Sequence, residues 1–253
     1  IYSNYDRLED IDMIENWWET KKGTDEEFRR FKDYYTDGSH TDMDGYAAQM
    51  DIEEYTNLMI MNIYYNNLDF PGNNIVQWRR RSGDDTRWRW MAKDVDYAMG
   101  IYDESPSYPI FTWYYDHDYD PDHNWANYSD NTRLFRRLMS DPRYEQLFLD
   151  RMLVYMGDFM NAATMNAALD SMHAVIQYEY PHHRKLVNQW WPNYAEVLQN
   201  AKDWNIDRQR FMYSHLAEHF GLGKTFALTV NQSLGEEAAL TRTAVNETPL
   251  TRG

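Results

Sequence analysis

The first half of the chain carries a helix signal, a loop signal and a hairpin signal in unbroken succession, and this succession constrains the fold more than any other feature. Asp51 and Glu54 have the spacing of a capping box at the start of a helix. Apolar side chains then recur at steps of three and four, which predicts a helix over residues 52–65. Pro71 and Gly72 predict that a loop follows this helix.

A β-hairpin is predicted directly after the loop. Residues 75–78 and 88–91 are rich in β-branched and aromatic side chains, and residues 82–85 have the composition of a turn. A hairpin returns the chain to the edge from which it started. The residues just before its first strand and just after its second strand should therefore lie at the same edge of the domain.

Polar residues with oxygen-bearing side chains flank this hairpin. Asp69 and Asn74 are five residues apart, Asp94 follows Asp69 by 25 residues, and Asp96 is close to Asp94. In phosphoryl transfer, an Asp-x-x-x-x-Asn loop supplies a base and a Mg²⁺ ligand, and a later Asp holds Mg²⁺ against the phosphates. The alternative is a structural turn, because Asn and Asp favour loops without any chemistry. The spacing alone leaves both interpretations open. We expect Asp69, Asn74 and Asp94 to converge, with carboxyl and amide oxygens close enough to share one ion.

The same residues lie in a set of recognisable segments, namely N-N-L-D-F-P-G-N-N (66–74), W-R-R-R (78–81), W-R-W (88–90) and D-V-D-Y-A-M-G (94–100). A Tyr-x-x-x-acidic segment at 1–12 and the segments at 134–139 and 226–230 accompany them. Together these segments resemble the CotH kinase family, which is named for a spore-coat protein and distantly related to protein kinases. The resemblance covers roughly residues 1–230. Two positions depart from the usual family pattern: Lys93 stands where members often carry Trp, and Asn73 where they often carry His.

The resemblance implies an α+β, atypical protein-kinase-like fold. The chain would hold mostly the helical C-terminal lobe, with the β-hairpin carrying the metal-site aspartate. The N-terminal lobe would be largely absent, since neither a Gly-rich phosphate loop nor a Val-Ala-x-Lys-like strand precedes Asp69. We expect a kinase-like domain over residues 1–225 and a C-terminal strand and tail, or the start of a following module, over 226–253.

The resemblance also implies an activity, namely Mg²⁺-dependent transfer of the ATP γ-phosphate to a hydroxyl acceptor on an extracellular or cell-surface protein of a bacterium. The rival interpretation is a catalytically inactive kinase-like surface protein that mediates adhesion or binds glycans. The implied roles are a catalytic base for Asp69, Mg²⁺ ligands for Asn74, Asp94 and Asp96, and cofactor binding for Asp6, Asn67 and Arg79.

Charge and composition exclude some partners. The net charge is −16, which argues against nucleic acid and against an anionic membrane surface, because both require clustered Lys and Arg. The absence of cysteine excludes disulfides and thiolate metal sites. We therefore expect no nucleic acid as partner, and no stretch approaches 18 uninterrupted apolar residues, so we expect no membrane insertion. The resemblance implies a protein substrate with a hydroxyl acceptor as partner, and the oligomeric state stays open.

The rest of the chain is predicted to be mostly helical. Residues 101–130 have the prolines of a loop, and the alternating Asp116, Asp118, Asp120 and Asp122 there form either a solvated acidic loop, which we favour, or a calcium site. His182 and His183 are expected to be exposed rather than metal-binding. Apolar stripes and caps predict helices over about 141–159, 164–180, 192–202 and 207–220, followed by a strand at 227–230.

Overall fold

The computed structural model has an α+β architecture. It describes residues 10–101, 105–186, 194–222, 240–243 and 249–252. The strands are β1 (Ile11–Glu15), β2 (Glu19–Lys22), β3 (Ile75–Arg80), β4 (Arg89–Ala92), β5 (Leu240–Thr243) and β6 (Pro249–Arg252). The helices are α1 (Glu26–Asp37), α2 (Met43–Ala47), α3 (Ile52–Tyr64), α4 (Ile110–Tyr115), α5 (Arg133–Leu138), α6 (Pro142–Gly157), α7 (Ala162–Ile176), α8 (Tyr180–Leu186) and α9 (Tyr194–His219).

The predicted hairpin forms the centre of an antiparallel sheet. β3 and β4 pair so that Ile75 faces Ala92, and the turn between them lies where the sequence predicts it. The full strand order is β2-β1-β3-β4, so two strands from residues 11–22, which the sequence analysis did not predict, complete the sheet. β5 and β6 pair with each other in a separate antiparallel hairpin.

One face of the four-stranded sheet packs on helices α1 and α3. The register places Gln77 of β3 between Ile14 of β1 and Trp90 of β4. The Trp90 ring lies 4.8 Å from the Tyr55 ring of α3 and 6.3 Å from the Phe31 ring of α1, measured between centroids. Aromatic pairs at this spacing bury large apolar areas. They fix α3, and hence the loop that follows it, relative to the hairpin.

Two helices begin where their caps predict. The Asp51 side chain accepts a hydrogen bond from the backbone N–H of Glu54 at the start of α3. Asp141 caps α6 by accepting from the N–H of Arg143, and Pro142 occupies the first turn. Each cap satisfies one backbone donor that the first helical turn leaves without an intrahelical partner.

The prediction that residues 101–130 are all loop is wrong for one segment. Ile110–Tyr115 form helix α4, directly after Pro109, which occupies its N-cap position. Proline is tolerated at the start of a helix, so it does not mark this segment as loop. Burial of four large side chains stabilises this short helix: Ile110, Phe111, Trp113 and Tyr114.

The acidic loop after α4 uses two of its carboxylates in local turns. Asp116 accepts from the N–H of Asp118 at 3.0 Å, and Asp120 from the N–H of Asp122 at 3.2 Å. Asp120 also accepts from the Tyr108 hydroxyl at 2.8 Å.

The two C-terminal helices predicted at 192–202 and 207–220 are one continuous helix, α9, in the part of the chain that is described. The sequence Asn205-Ile206-Asp207 has the composition of a helix start, but Asn205 is buried and donates to Asn166 of α7 at 2.9 Å. This contact gives the side-chain N–H group of Asn205 a partner inside the helix.

The apolar stripe predicted to lie inside the α7 region is instead exposed. No residue of α7 is buried, and the exposed fractions of Met172 and Val175 are 56% and 78%. Helix α7 packs on α9 through polar contacts, such as Asn166 with the backbone oxygen of Lys202. His182 and His183 lie exposed in α8.

Some predicted features lie outside the described ranges, and the described helices can be compared with the requirements of a membrane span. The strand predicted at 227–230, like Asp6, lies outside the described residues. Across the described ranges, the helices are either too short or too polar to cross a bilayer.

Candidate active site

The loop after α3 is fixed by a chain of side-chain amides. Asn66 has a positive φ of 58°, a left-handed conformation that ends the helix and that asparagine tolerates better than most residues. The Asn67 side chain donates to the Asn62 amide oxygen at 2.8 Å and accepts from the backbone N–H of Asp69 at 3.1 Å. Both amides are buried. The backbone of Asp69 is therefore tied to the last turn of α3.

The Asp69 carboxylate lies at the centre of the loop. It accepts hydrogen bonds from the side-chain N–H groups of Asn73, at 3.1 and 3.3 Å, and from that of Asn74. The backbone oxygen of Asp69 also accepts from the N–H of Asn73 at 2.9 Å. Only 7% of Asp69 is exposed. Two neutral amides thus orient a nearly buried carboxylate.

Asp94 reaches the same place from the far end of the hairpin. Asn74 immediately precedes Ile75, and Asp94 comes two residues after Ala92, the partner of Ile75 in the ladder. The Asn74 side chain donates to the backbone oxygen of Asp94 at 3.3 Å. Both residues have a positive φ, 54° for Asn74 and 45° for Asp94. The hairpin therefore brings the Asn74 side chain to Asp69 and to the backbone of Asp94. That the side-chain oxygens of the three residues could share one ion stays a prediction.

The site carries negative charge that no described Lys or Arg neutralises through an ion pair. Burial raises the pKa of the Asp69 carboxyl, the hydrogen bond from Asn73 lowers it, and the charges of Asp94 and Asp96 raise it further. In the part of the chain that is described, no Lys or Arg forms an ion pair with these three aspartates. Like charges held close together favour either a bound proton or a bound cation.

The donor atoms suit a hard divalent cation. The carboxylates of Asp69, Asp94 and Asp96 and the amide oxygen of Asn74 are oxygen ligands of the type that Mg²⁺ prefers. Within the described ranges, no three His, Asp or Glu side chains already converge as a metal-binding group. The chemistry of the donors fits Mg²⁺, whereas the described arrangement is not that of a formed three-carboxylate metal group.

Arg79 is not brought to this site. It lies four residues from Ile75 along β3, which is about 13 Å at the rise of a strand. Its guanidinium pairs with Asp12 at 3.7 Å and with Glu27 at 3.4 Å. These contacts assign Arg79 a place in the sheet, away from the aspartates. This position does not support the predicted role of Arg79 in cofactor binding.

Distant segments hold the loop in place, and the sequence analysis missed all of them. The indole N–H of Trp17 donates to the backbone oxygen of Pro71 at 2.7 Å. The Tyr114 hydroxyl donates to the backbone oxygen of Phe70 at 3.4 Å. Gly72 packs so closely on Ala126 that an added Cβ would lie 2.4 Å from the Ala126 Cα. These contacts join residues far apart in the chain and have no local sequence signal.

A buried arginine holds the end of α3. Arg208 of α9 donates to the backbone oxygens of Tyr64 at 2.7 Å and Ile63 at 2.8 Å. It also donates to the oxygens of Pro106 at 2.8 Å and Tyr108 at 3.1 Å. A sequence signal for it does exist. Arg208 interrupts a four-residue repeat of buried apolar residues in α9, namely Trp204, Met212 and Leu216.

The fold and the site together define an α+β domain in which a helix, a loop and a hairpin assemble an acidic, oxygen-lined centre. A family model described as CotH kinase protein matches residues 12–212, more than half of the 253-residue chain. The chain belongs to the CotH kinase family, and this membership indicates a kinase-like function. Neither the curated proteins nor the solved structures that were compared gave a match.

Proposed function

We propose that this protein transfers the γ-phosphoryl group of ATP to a hydroxyl group of a protein at the cell surface or outside the cell. The observation that carries the proposal is the buried Asp69 carboxylate, oriented by Asn73 and Asn74 beside Asp94. Membership of the CotH kinase family supports the reaction class, and the family's association with the spore coat supports the location.

Asp69 has the position and environment of a general base. In the transfer, the acceptor oxygen forms a bond to the γ-phosphorus, the bond from that phosphorus to the bridging oxygen breaks, and ADP leaves. The proton of the acceptor hydroxyl passes to the Asp69 carboxylate. A pKa above the ordinary value makes a carboxylate a better proton acceptor, and burial provides this shift. The two amides prevent the carboxylate from turning away from the acceptor.

Asn74, Asp94 and Asp96 would hold Mg²⁺. The ion would supply neutralisation of the phosphate charge as the bond to the leaving oxygen breaks. The three residues contribute oxygen atoms from one end of the hairpin, so their relative position is set by the β3–β4 pairing. Asn67 acts behind them by fixing the Asp69 backbone, and cofactor binding by Asn67 and Asp6 stays a prediction.

The experiment compares single variants of the full-length protein, with ATP and Mg²⁺ and with a serine-containing peptide library as acceptor. Asp94→Ala should abolish transfer, because the phosphate charges lose a metal ligand. Asp69→Ala and Asp69→Asn should slow transfer by at least about 100-fold while nucleotide affinity stays nearly unchanged, because a base acts on the acceptor. Asp150→Ala, an exposed acid on α6, is the matched control and should behave as wild type. Equal transfer by wild type and Asp94→Ala would remove the proposal.

A non-catalytic binding protein is the second candidate. It is favoured by one observation, namely that the three aspartates do not yet converge as a metal group in the described residues. The same experiment separates the two candidates. Mg²⁺-dependent transfer to peptide or to water supports the enzyme, and a folded full-length protein without either activity supports the binding protein.

A further inference from the structure

An apolar cavity of about 180 Å³ opens beside the candidate active site. It lies between the last turn of α3, the segment after Asp94 and helix α7. Its walls include Met61, Tyr65, Asn67, Val95, Met99 and Met165. The segment that carries Val95 and Met99 is held to α3, because the N–H of Met99 donates to the backbone oxygen of Tyr65 at 2.8 Å.

The cavity is suited to an apolar group and poorly suited to a polar one. Its two amide side chains are already engaged: Asn62 donates to the Leu58 backbone oxygen at 2.8 Å and accepts from Asn67. A nucleobase would bring donors and acceptors that find few free partners there, which costs affinity. A dry apolar cavity of about 150 Å³ binds a benzene-sized molecule. Leucine, methionine and phenylalanine side chains are of this order of size.

The cavity shares residues with the reaction centre. Val95 adjoins Asp94, and Asn67 is two residues from Asp69 and hydrogen-bonded to its backbone N–H. Consecutive Cα atoms are about 3.8 Å apart, so the Cα atoms of these two wall residues lie within roughly 4–7 Å of those of Asp94 and Asp69. An extended polypeptide advances about 3.3 Å per residue. In an extended acceptor chain whose hydroxyl lies at Asp69, the side chain that enters the cavity is therefore at most about two residues away from the hydroxyl-bearing residue.

We infer that this cavity binds an aliphatic or aromatic side chain of the acceptor polypeptide, one or two residues from the hydroxyl that receives the phosphoryl group. This inference rests on the proposed function and adds the substrate class to it. The cavity would select acceptors by their apolar neighbour, while Asp69 and the metal ligands carry out the transfer.

The test begins with peptides that hold one serine at a fixed central position. Leu, Phe, Ala, Asp or Lys is placed in turn at the two positions on either side. With the full-length protein, ATP and Mg²⁺, we expect kcat/KM to rise at least about tenfold for Leu over Ala at one of these positions. Transfer to water, measured without peptide, reports the chemistry independently of the cavity.

Variants of Met165 connect this preference to the cavity. Met165 lies on α7, outside the residues proposed to carry the reaction. Met165→Trp should fill the cavity and lower kcat/KM for the Leu peptide to the value for the Ala peptide. Met165→Ala should enlarge it and shift the preference towards Phe. Met172→Trp and Met172→Ala, at an exposed methionine of the same helix, are matched controls and should leave the preference unchanged.

A binding measurement gives a readout other than activity. N-acetyl-leucine methylamide is titrated into protein labelled at its methionine methyl groups. We expect NMR shifts at Met61, Met99 and Met165, with Met172 unaffected, and we expect the shifts to disappear in Met165→Trp. These shifts together with the Leu preference would establish the acceptor pocket.

The two possible failures differ. Transfer that proceeds without an apolar preference, or a preference that Met165→Trp leaves intact, would overturn the inference and leave the proposed function standing. Absence of transfer both to peptide and to water would overturn the proposed function, and the inference that the cavity binds an acceptor side chain would be overturned with it.

Discussion

Replacement of Arg208 should destabilise the protein more than any other change at a charged side chain of α9. The guanidinium is completely buried and donates to four backbone oxygens. Burial lowers its pKa to about 9, so the side chain is charged at neutral pH. Two of the four oxygens belong to the last turn of α3, where carbonyl groups have no intrahelical partner and carry the negative end of the helix dipole.

The expected magnitude follows from these four hydrogen bonds. A hydrogen bond to a charged group contributes about 1.5–3 kcal/mol, and a buried carbonyl left without a partner costs about 1–3 kcal/mol. Desolvation of the guanidinium offsets several kcal/mol of the gain. Arg208→Ala leaves the backbone oxygens of Tyr64 and Pro106 unpaired, whereas those of Ile63 and Tyr108 keep the N–H groups of Asn66 and Ile110. We therefore expect a loss of about 2–6 kcal/mol in the free energy of unfolding. Arg208→Lys keeps the charge but loses the planar fork, and we expect about half that loss.

Urea unfolding at neutral pH, followed by circular dichroism, measures both variants. Arg210→Ala is the matched control on the same helix, since its side chain is 70% exposed and pairs with Asp207 at 3.3 Å. It should lose at most about 1 kcal/mol. An Arg208→Ala protein within about 1 kcal/mol of wild type, with the same dependence on urea, would refute the reasoning. Because α3 leads directly into Asn66 and Asn67, the Lys variant should also lower any activity of the folded protein.

Two further changes test the packing of the loop and of α6. Gly72→Ala should lower the free energy of unfolding by about 1–3 kcal/mol, because the added Cβ would overlap the Ala126 backbone. Gly157→Ala is the control, since its Cβ would meet nothing within 4 Å, and it should be neutral or slightly stabilising. Thermal unfolding of both variants measures the difference. The hydrogen bonds from Arg143 lower the pKa of Asp141 to about 2. The stability that Asp141 contributes is therefore present above about pH 4 and lost as the pH falls through 2. Asp141→Asn should have a lower free energy of unfolding at pH 7 and should lose less stability than wild type between pH 4 and 2. Unfolding curves over this pH range measure both proteins, and equal losses would contradict the prediction.

The sequence predicts those parts of the site that local chemistry determines. Asp51 caps α3, turn residues place the hairpin, and the hairpin register brings Asn74 next to the backbone of Asp94. Each of these features depends on residues within about 25 positions of one another. Local patterns also carry the family resemblance, which the match to residues 12–212 confirms.

The parts that were missed depend on contacts between distant segments. Nothing near Gly72 in the sequence indicates that Ala126 will pack against it. The stripe on α7 shows the periodicity of a buried face, but periodicity does not state what the face packs on, and Val175 is exposed. Likewise, Asn205 is a poor helix former, yet it lies inside α9, where its side-chain N–H group donates to Asn166 of α7. Tertiary contacts override local propensity in each case.

The buried charges of the domain show why the loop at Asp69 is the best candidate for function. Among the described residues, the buried side chains of the charged residue types are Asp12, Asp69, Asp141 and Arg208. Three of them have complementary partners: Asp12 lies beside Arg79 and Arg81, Asp141 binds Arg143 and the N–H of Met43, and Arg208 donates to four carbonyl oxygens.

Asp69 differs from these three. No described Lys or Arg forms an ion pair with it, and the charges of Asp94 and Asp96, which are of the same sign, raise the pKa of its carboxyl. Burial of like charges is unfavourable unless a proton or a cation compensates them. Among the described residues, the other buried charges bind opposite charges or the negative ends of carbonyl dipoles, whereas the buried Asp69 has the like charges of the exposed Asp94 and Asp96 beside it. A bound cation would compensate these charges. This contrast, more than the motif itself, favours a metal-dependent reaction at Asp69 over a structural turn.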